Sequence, residues 1–152
     1  MKKIKFVMPV VLFLTLFLIN SCGLKPMPSS KKYIQLDNVD ISDLGNGKVL
    51  FHNSGYYCPV ATCGWATKMN IVANNINLGQ INYGEYFIVD LALGDYEIQT
   101  IYKDVFKFKP KHKVKIDSDT KVISVSVNSF SKKLKVTNVL PHDINSLNQL
   151  SN

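Results

Sequence analysis

The order of apolar and polar positions divides the chain into regimes. Residues 6–19 are apolar except for Pro9 and Thr15, and three lysines, Lys2, Lys3 and Lys5, precede them. Residues 23–32 carry a Pro/Ser/Lys bias that suits an extended, flexible tether. From Lys48 onward, short runs rich in Val, Ile, Tyr and Phe alternate with turn residues. The runs at 48–51, 68–73, 76–78, 85–91, 96–102, 105–108, 113–116, 121–127 and 134–139 read as strands. Asn74 and Asn75 suit the positive backbone angles of a tight hairpin, and Gly94 marks another turn. Tyr96, Ile98 and Thr100 share one face of their strand. No long helical period follows the first apolar run. The pattern therefore predicts an all-β fold, a small antiparallel β-sandwich, although a small barrel fits the same spacing. Residues 36–44 fit either a first strand or a helical turn. Ile144, Leu147 and Leu150 lie three apart in the polar tail, which reads as a frayed helix or, more readily, as disorder.

The first apolar run is too short for a membrane span, which needs about 20 apolar residues, and no basic stop follows it. With its basic start it has the layout of an export signal. The residues Ile19-Asn20-Ser21-Cys22 resemble the bacterial lipobox, in which the cysteine is acylated on sulfur and becomes the first residue of the mature protein. Asn20 departs from the usual small or β-branched choice. Cys22 is thus the expected lipidation site, and acyl chains there would hold the protein on its membrane. Gly23 after the cysteine resembles the sorting signal for the outer membrane of a two-membrane bacterium, so the expected location is the cell envelope, facing the periplasm. The expected organisation is a lipoprotein signal peptide at 1–21, a lipidated tether at 22–34, a β-sandwich at 35–140 and a polar tail at 141–152.

Loss of that signal changes the charge. Three of the 18 basic residues leave with it and no acid does, so 15 bases face 11 acids and the net +7 falls to +4. Every base is Lys, so the arginine fork that grips phosphates and guanine edges is missing, and nucleic acid is not an expected partner. About 130 residues suffice for one cored domain. Cys58 and Cys63, in "YYCPVATCGW", fit a disulfide in an oxidising compartment. Closing so small a loop contributes roughly 2 kcal/mol in the chain-entropy account. Zinc would need two further ligands, with His52 the nearest candidate, and no metal or cofactor is expected.

The succession "GKVLFHN" and "TKMNIVANNINLGQINYGEYFIVDLALGDYEIQ" resembles a family of small bacterial lipoproteins catalogued only as a domain of unknown function. Gly79 and Gly84-Glu85-Tyr86-Phe87 carry the match, while Leu93-Gly94 stands where that family has Pro-Gly. His52-Asn53 stand near the place of its usual arginine. The resemblance, like that to PEGA-type surface modules, implies a sandwich of immunoglobulin or transthyretin-like kind. It brings no active site.

Two stretches are candidates for binding. In "FKFKPKHKVKI", Lys107, Lys109, Lys111, Lys113 and Lys115 fall on every second position, which on an extended chain makes a cationic strip for anionic lipid or acidic wall polymers. The plainer alternative is a half-buried strand whose lysines are its solvated side and protect a sheet edge, with Pro110 bending or dividing it. Tyr56, Tyr57 and Trp65 around the cysteine loop would suit sugar rings or a protein partner, or else cap the sandwich. Asp37, Asp40 and Asp43 lack the spacing of a calcium loop, and Asp117 with Asp119 fits turn chemistry. His52, His112 and His142 lie apart from any nucleophile motif. The expected function is a non-enzymatic envelope lipoprotein, an interaction or assembly module, with binding of anionic envelope lipid or cell-wall polysaccharide as the alternative.

Overall fold

The computed structural model describes residues 24–54, 68–103, 107–127 and 132–152. Among the described residues ten strands form two sheets: β1 (Lys48–Asn53), β2 (Met69–Ala73), β3 (Ile76–Ile81), β4 (Glu85–Asp90), β5 (Gly94–Lys103), β6 (Lys107–Phe108), β7 (Lys111–Ile116), β8 (Val122–Val127), β9 (Lys132–Val136) and β10 (Asn148–Gln149). The first sheet runs β10-β4-β1-β8-β9, and the second runs β3-β2-β5, with β6 and β7 both paired to β5. Alternation along the strands supplies the interior. Val49 and Phe51, Phe87 and Val89, and Ile123 and Val125 face Ile71, Leu78, Ile98 and Ile116 of the other sheet in one buried cluster. Each such side chain, fully buried, contributes about 1.5–3 kcal/mol.

Turn chemistry sets the registers. Asn46 and Gly47 take φ of 51° and 93°, and Gly45 and Lys48 exchange hydrogen bonds of 2.9 and 3.0 Å across them. Asn74 and Asn75 take 46° and 66° and close the β2–β3 hairpin as their sequence suggests. Pro110 splits the lysine-rich run into β6 and β7, since it has no N–H to give a ladder; its carbonyl still accepts from Thr100 N at 3.1 Å.

The expectation of a purely antiparallel sandwich needs correction. β1 pairs with β8, and β4 with β10, in parallel. Parallel neighbours need a long crossover, and here the whole second sheet lies between β1 and β8 in sequence.

The first sheet is also covered on both faces. Leu50, Tyr86, Ile88 and Val122 point away from the interior, yet they are buried beneath Leu36, Val39, Ile41, Leu140, Ile144 and Leu147. Residues 36–44 resolve into an extended strap with one 3-10 turn, Ile41–Asp43, whose start is closed by a capping box between Asp40 and Asp43.

The tail at 141–152 is ordered, contrary to the expectation of disorder. It forms a 3-10 turn at Ile144–Ser146 and then β10, with Leu150 N donating to Tyr86 O at 2.8 Å. The three spaced apolar residues do not mark a helix face: Ile144 and Leu147 cover the outer cluster, and Leu150 reaches the inner one.

Residues 24–34, read as a tether, lie against the domain. Lys25 O accepts from Asn70 Nδ2 at 3.0 Å, Ser30 N donates to Asn77 O at 2.8 Å, and Ile34 N donates to Ile88 O at 2.8 Å. The chain thus crosses from the β3 edge to the β4 edge. Tyr33 enters the interior between them, 7% exposed, stacked on Phe87 at 4.9 Å, with Phe87 stacked on Phe51 at 5.2 Å. Its hydroxyl donates to Leu78 O at 2.8 Å, and burial pushes its pKa up. Gly79, at φ +115°, sits at a bulge in the β2–β3 pairing; a Cβ there would overlap the Tyr33 hydroxyl. Residues 31–35 and 149–152 then bind each other. Tyr33 N donates to Asn152 Oδ1 at 2.9 Å, Asn152 Nδ2 to Lys31 O at 2.6 Å, Gln35 Nε2 to Leu150 O at 2.9 Å, and Gln149 Nε2 to Ile34 O at 3.0 Å.

Candidate functional site

The lysine run divides by environment. On β7, Lys111, Lys113 and Lys115 point to solvent while Val114 and Ile116 enter the core, so the alternation read from the sequence holds there. Their outward neighbours on β5 are not neutral. Asp95 lies opposite Lys115 and Glu97 opposite Lys113, and Lys111 Nζ pairs with Glu97 Oε1 at 2.7 Å. An acidic row thus flanks the basic one, which lowers the field that an anion would meet. With the two side chains 58% and 50% exposed, the ion pair contributes little to stability. A shallow depression at this edge, about 540 Å³, is lined by Asp95, Tyr96, Glu97, Lys113, Val114 and Lys115.

Lys107 and Lys109 lie beyond Pro110, exposed, on and beside the short β6. Lys107 is opposite Lys103 and Phe108 opposite Tyr102, their rings stacked at 5.3 Å. In the β5–β6 register Lys107 thus faces another lysine. The five lysines therefore form two unlike groups rather than one strip.

Cys22, Cys58, Cys63, Tyr56, Tyr57 and Trp65 lie outside the described residues. The roots of the cysteine loop are described, at Ser54 and Lys68. They stand where β1 ends and β2 begins, at the pole of the sandwich that also carries the β3–β4 turn and the β5–β6 connection.

One contact escaped the sequence reading. His52 Nδ1 lies 2.7 Å from Ser54 Oγ, two residues on and just past the end of β1. The arrangement has the outline of a base beside a hydroxyl nucleophile. Its chemistry is otherwise: the ring is 6% exposed under the tail, and burial lowers its pKa to about 4, with only partial compensation from Asp143. So weak a base is poorly matched to proton abstraction at neutral pH. The strand run read at 48–51 ends before His52, so the sequence carried no sign that its ring is buried.

The acidic turns are structural. Asp119 N and Thr120 Oγ1 both donate to Asp117, at 3.1 and 2.8 Å, and these bonds, with that from Thr120 the larger, hold the carboxyl below its usual range. Asp40 is lowered likewise by the Ser42 hydroxyl and backbone. Among the described residues, no three His, Cys, Asp or Glu converge as metal ligands would. A polar hollow of about 320 Å³ lies between residues 36–39 and 144–149, lined by Asp37, Asn38, Tyr86, Asn145 and Gln149 among others.

Compared with protein-family models, curated proteins and solved structures, the chain matches none.

Proposed function

We propose that this is a lipid-anchored protein of the bacterial cell envelope, held by acyl chains on Cys22, and that its sandwich is a non-enzymatic interaction or assembly module. The reading includes placement at the outer membrane facing the periplasm, kinship with the small lipoproteins of the uncharacterised family, and an immunoglobulin or transthyretin-like class for the sandwich. The supporting observation is the course of residues 25–34. They are bonded to the domain from Lys25 onward, so only Gly23 and Leu24 separate Cys22 from the folded body. An acyl group on Cys22 would then fix the attitude of the domain as well as its address. A long free leash would suit a protein that roams for substrate; a stitched one suits a module that presents fixed surfaces to a neighbour.

The partner of such a module is an envelope protein or a cell-wall component, and residues 56–65 with Tyr56, Tyr57 and Trp65, rooted at the pole where the leash leaves the fold, would meet it at the membrane surface. In-cell cross-linking of the tagged full-length protein tests this. One dominant protein partner, lost when residues 56–65 are replaced, supports the assembly reading. Turnover of peptidoglycan by the purified protein would overturn it.

The alternative, a binder of anionic lipid or wall polysaccharide on the lysines, is favoured by their exposure on β7 and at Lys107 and Lys109. It predicts salt-dependent binding that weakens on Lys109→Glu and Lys113→Glu together.

A further inference from the structure

The chain leaves the fold at a definite place. Asn70, which holds Lys25 O, lies opposite Ile101 on the outer face of the second sheet, and Gln80 Nε2 donates to Asn70 Oδ1 at 2.8 Å beside it. Two residues along β5 on the same face is Lys103, opposite Lys107. With strands about 4.8 Å apart and a rise of about 3.3 Å per residue, Lys103 stands ~8 Å from Asn70 and Lys107 ~12 Å. Lys68, exposed, precedes β2 at the same pole. The exit of the leash is therefore ringed by Lys25, Lys68, Lys103 and Lys107.

Two aromatic rings stand at this pole as well. Tyr83, at the tip of the β3–β4 turn, is 41% exposed, and Phe108 on β6 is 39% exposed. Beside this pole both oxygens of Glu85 accept from Asn82, at 2.6 and 2.8 Å, while Asp37 and Asp143 lie on the side of the first sheet's outer face. The acids gather at the other pole, where Asp90, Asp95, Asp117 and Asp119 border the turns, alongside Lys48 and Lys115.

We propose that this pole is a membrane-docking surface: Lys25, Lys68, Lys103 and Lys107 meet anionic phospholipid headgroups of the leaflet that holds the acyl chains, and Tyr83 and Phe108 enter the interface. The inference rests on lipidation at Cys22. From Cys22 to Lys25 the chain spans at most about 11 Å, so the leash exit cannot stand far from the headgroups. Lysines at an anionic surface and rings at the polar–apolar boundary are both favourable there. The domain would sit with its acidic pole directed away from the bilayer; Lys111, Lys113 and Lys115 share the outer face of the second sheet but stand progressively nearer that far pole, opposite Gln99, Glu97 and Asp95.

The test uses the full-length lipidated protein on phosphatidylcholine vesicles, with and without phosphatidylglycerol. Lysine acetylation rates are read residue by residue by mass spectrometry. Each docked lysine favours the oriented state about fivefold, so Lys25, Lys68, Lys103 and Lys107 are expected to react at least about threefold more slowly on the anionic vesicles. Lys48 and Lys115, at the far pole, keep their rates. Lys68→Glu with Lys107→Glu, both exposed positions, should restore the rate of Lys25. Equal protection at both poles, or protection of Lys48 and Lys115 instead, overturns docking while leaving the anchor intact. A protein that fails to float with either vesicle overturns the anchor and the docking surface together.

Discussion

Replacing Tyr33 by alanine separates a stitched N-terminal segment from a loose one. In a free tether the change costs nothing. Here the ring is buried, stacked on Phe87, and bonded through its hydroxyl to Leu78 O. Large aromatic side chains cut to alanine in a core cost about 3–5 kcal/mol, which sums lost burial and the cavity left behind. Tyr33→Phe keeps the ring and loses only the hydrogen bond, about 1 kcal/mol. The natural assay is urea unfolding of the unlipidated chain from residue 22, with Cys22→Ser, followed by circular dichroism. For a urea slope of about 1.5 kcal/mol/M, the alanine variant moves the midpoint down by roughly 2–3 M and the phenylalanine variant by under 1 M. An alanine variant within about 0.5 kcal/mol of the parent would refute the reasoning, because it would mean that residues 24–34 are not part of the folded unit.

Other consequences can be measured in the same way. Gly79→Ala should destabilise by more than about 2 kcal/mol, from its positive φ and the Tyr33 hydroxyl in its path, and Tyr33→Phe in the same chain should recover part of that loss; strictly additive costs would contradict the contact. His52, with a folded pKa of about 4 against 6.5 unfolded, binds fewer protons folded than unfolded between those values. Its stabilising effect is therefore complete above pH 6.5 and is lost as pH falls toward 4, by up to about 3 kcal/mol. His52→Gln should flatten that slope, leaving the smaller one from His112, whose pKa burial also lowers; an unchanged slope would contradict it. Glu97→Gln, at an exposed ion pair, should change stability by no more than about 0.5 kcal/mol, and a loss above 2 would show that the pair is not solvated as described.

Where neighbours in sequence are neighbours in space, the chain was legible. The hairpin at Asn74-Asn75, the turn at Asp117 to Thr120 and the split at Pro110 follow from residues that act locally, and the strand runs were found within a few residues of their ends. What could not be read depends on partners far along the chain. Tyr33 and Asn152, or Gln149 and Ile34, are over a hundred residues apart, and each lies in a stretch whose polar composition suits solvent. Local periodicity carries no signal for such pairs. The same holds for the parallel pairings, since direction depends on the path of the chain through the second sheet rather than on any strand's own residues. The alternation of the lysines was legible on β7 alone; the acids opposite them belong to β5 and appear only with the register.

The central claim is that a lipid on Cys22 joins a stitched domain to its membrane. Intact mass spectrometry of the protein extracted from cell membranes, beside the fractionation of Cys22→Ala, addresses it most directly. The account predicts a mature chain that begins at Cys22 and carries the added mass of acyl groups, and a folded Cys22→Ala protein that has left the membrane fraction. A mature chain with an unmodified cysteine, or a Cys22→Ala protein that still sediments with membranes, would contradict it.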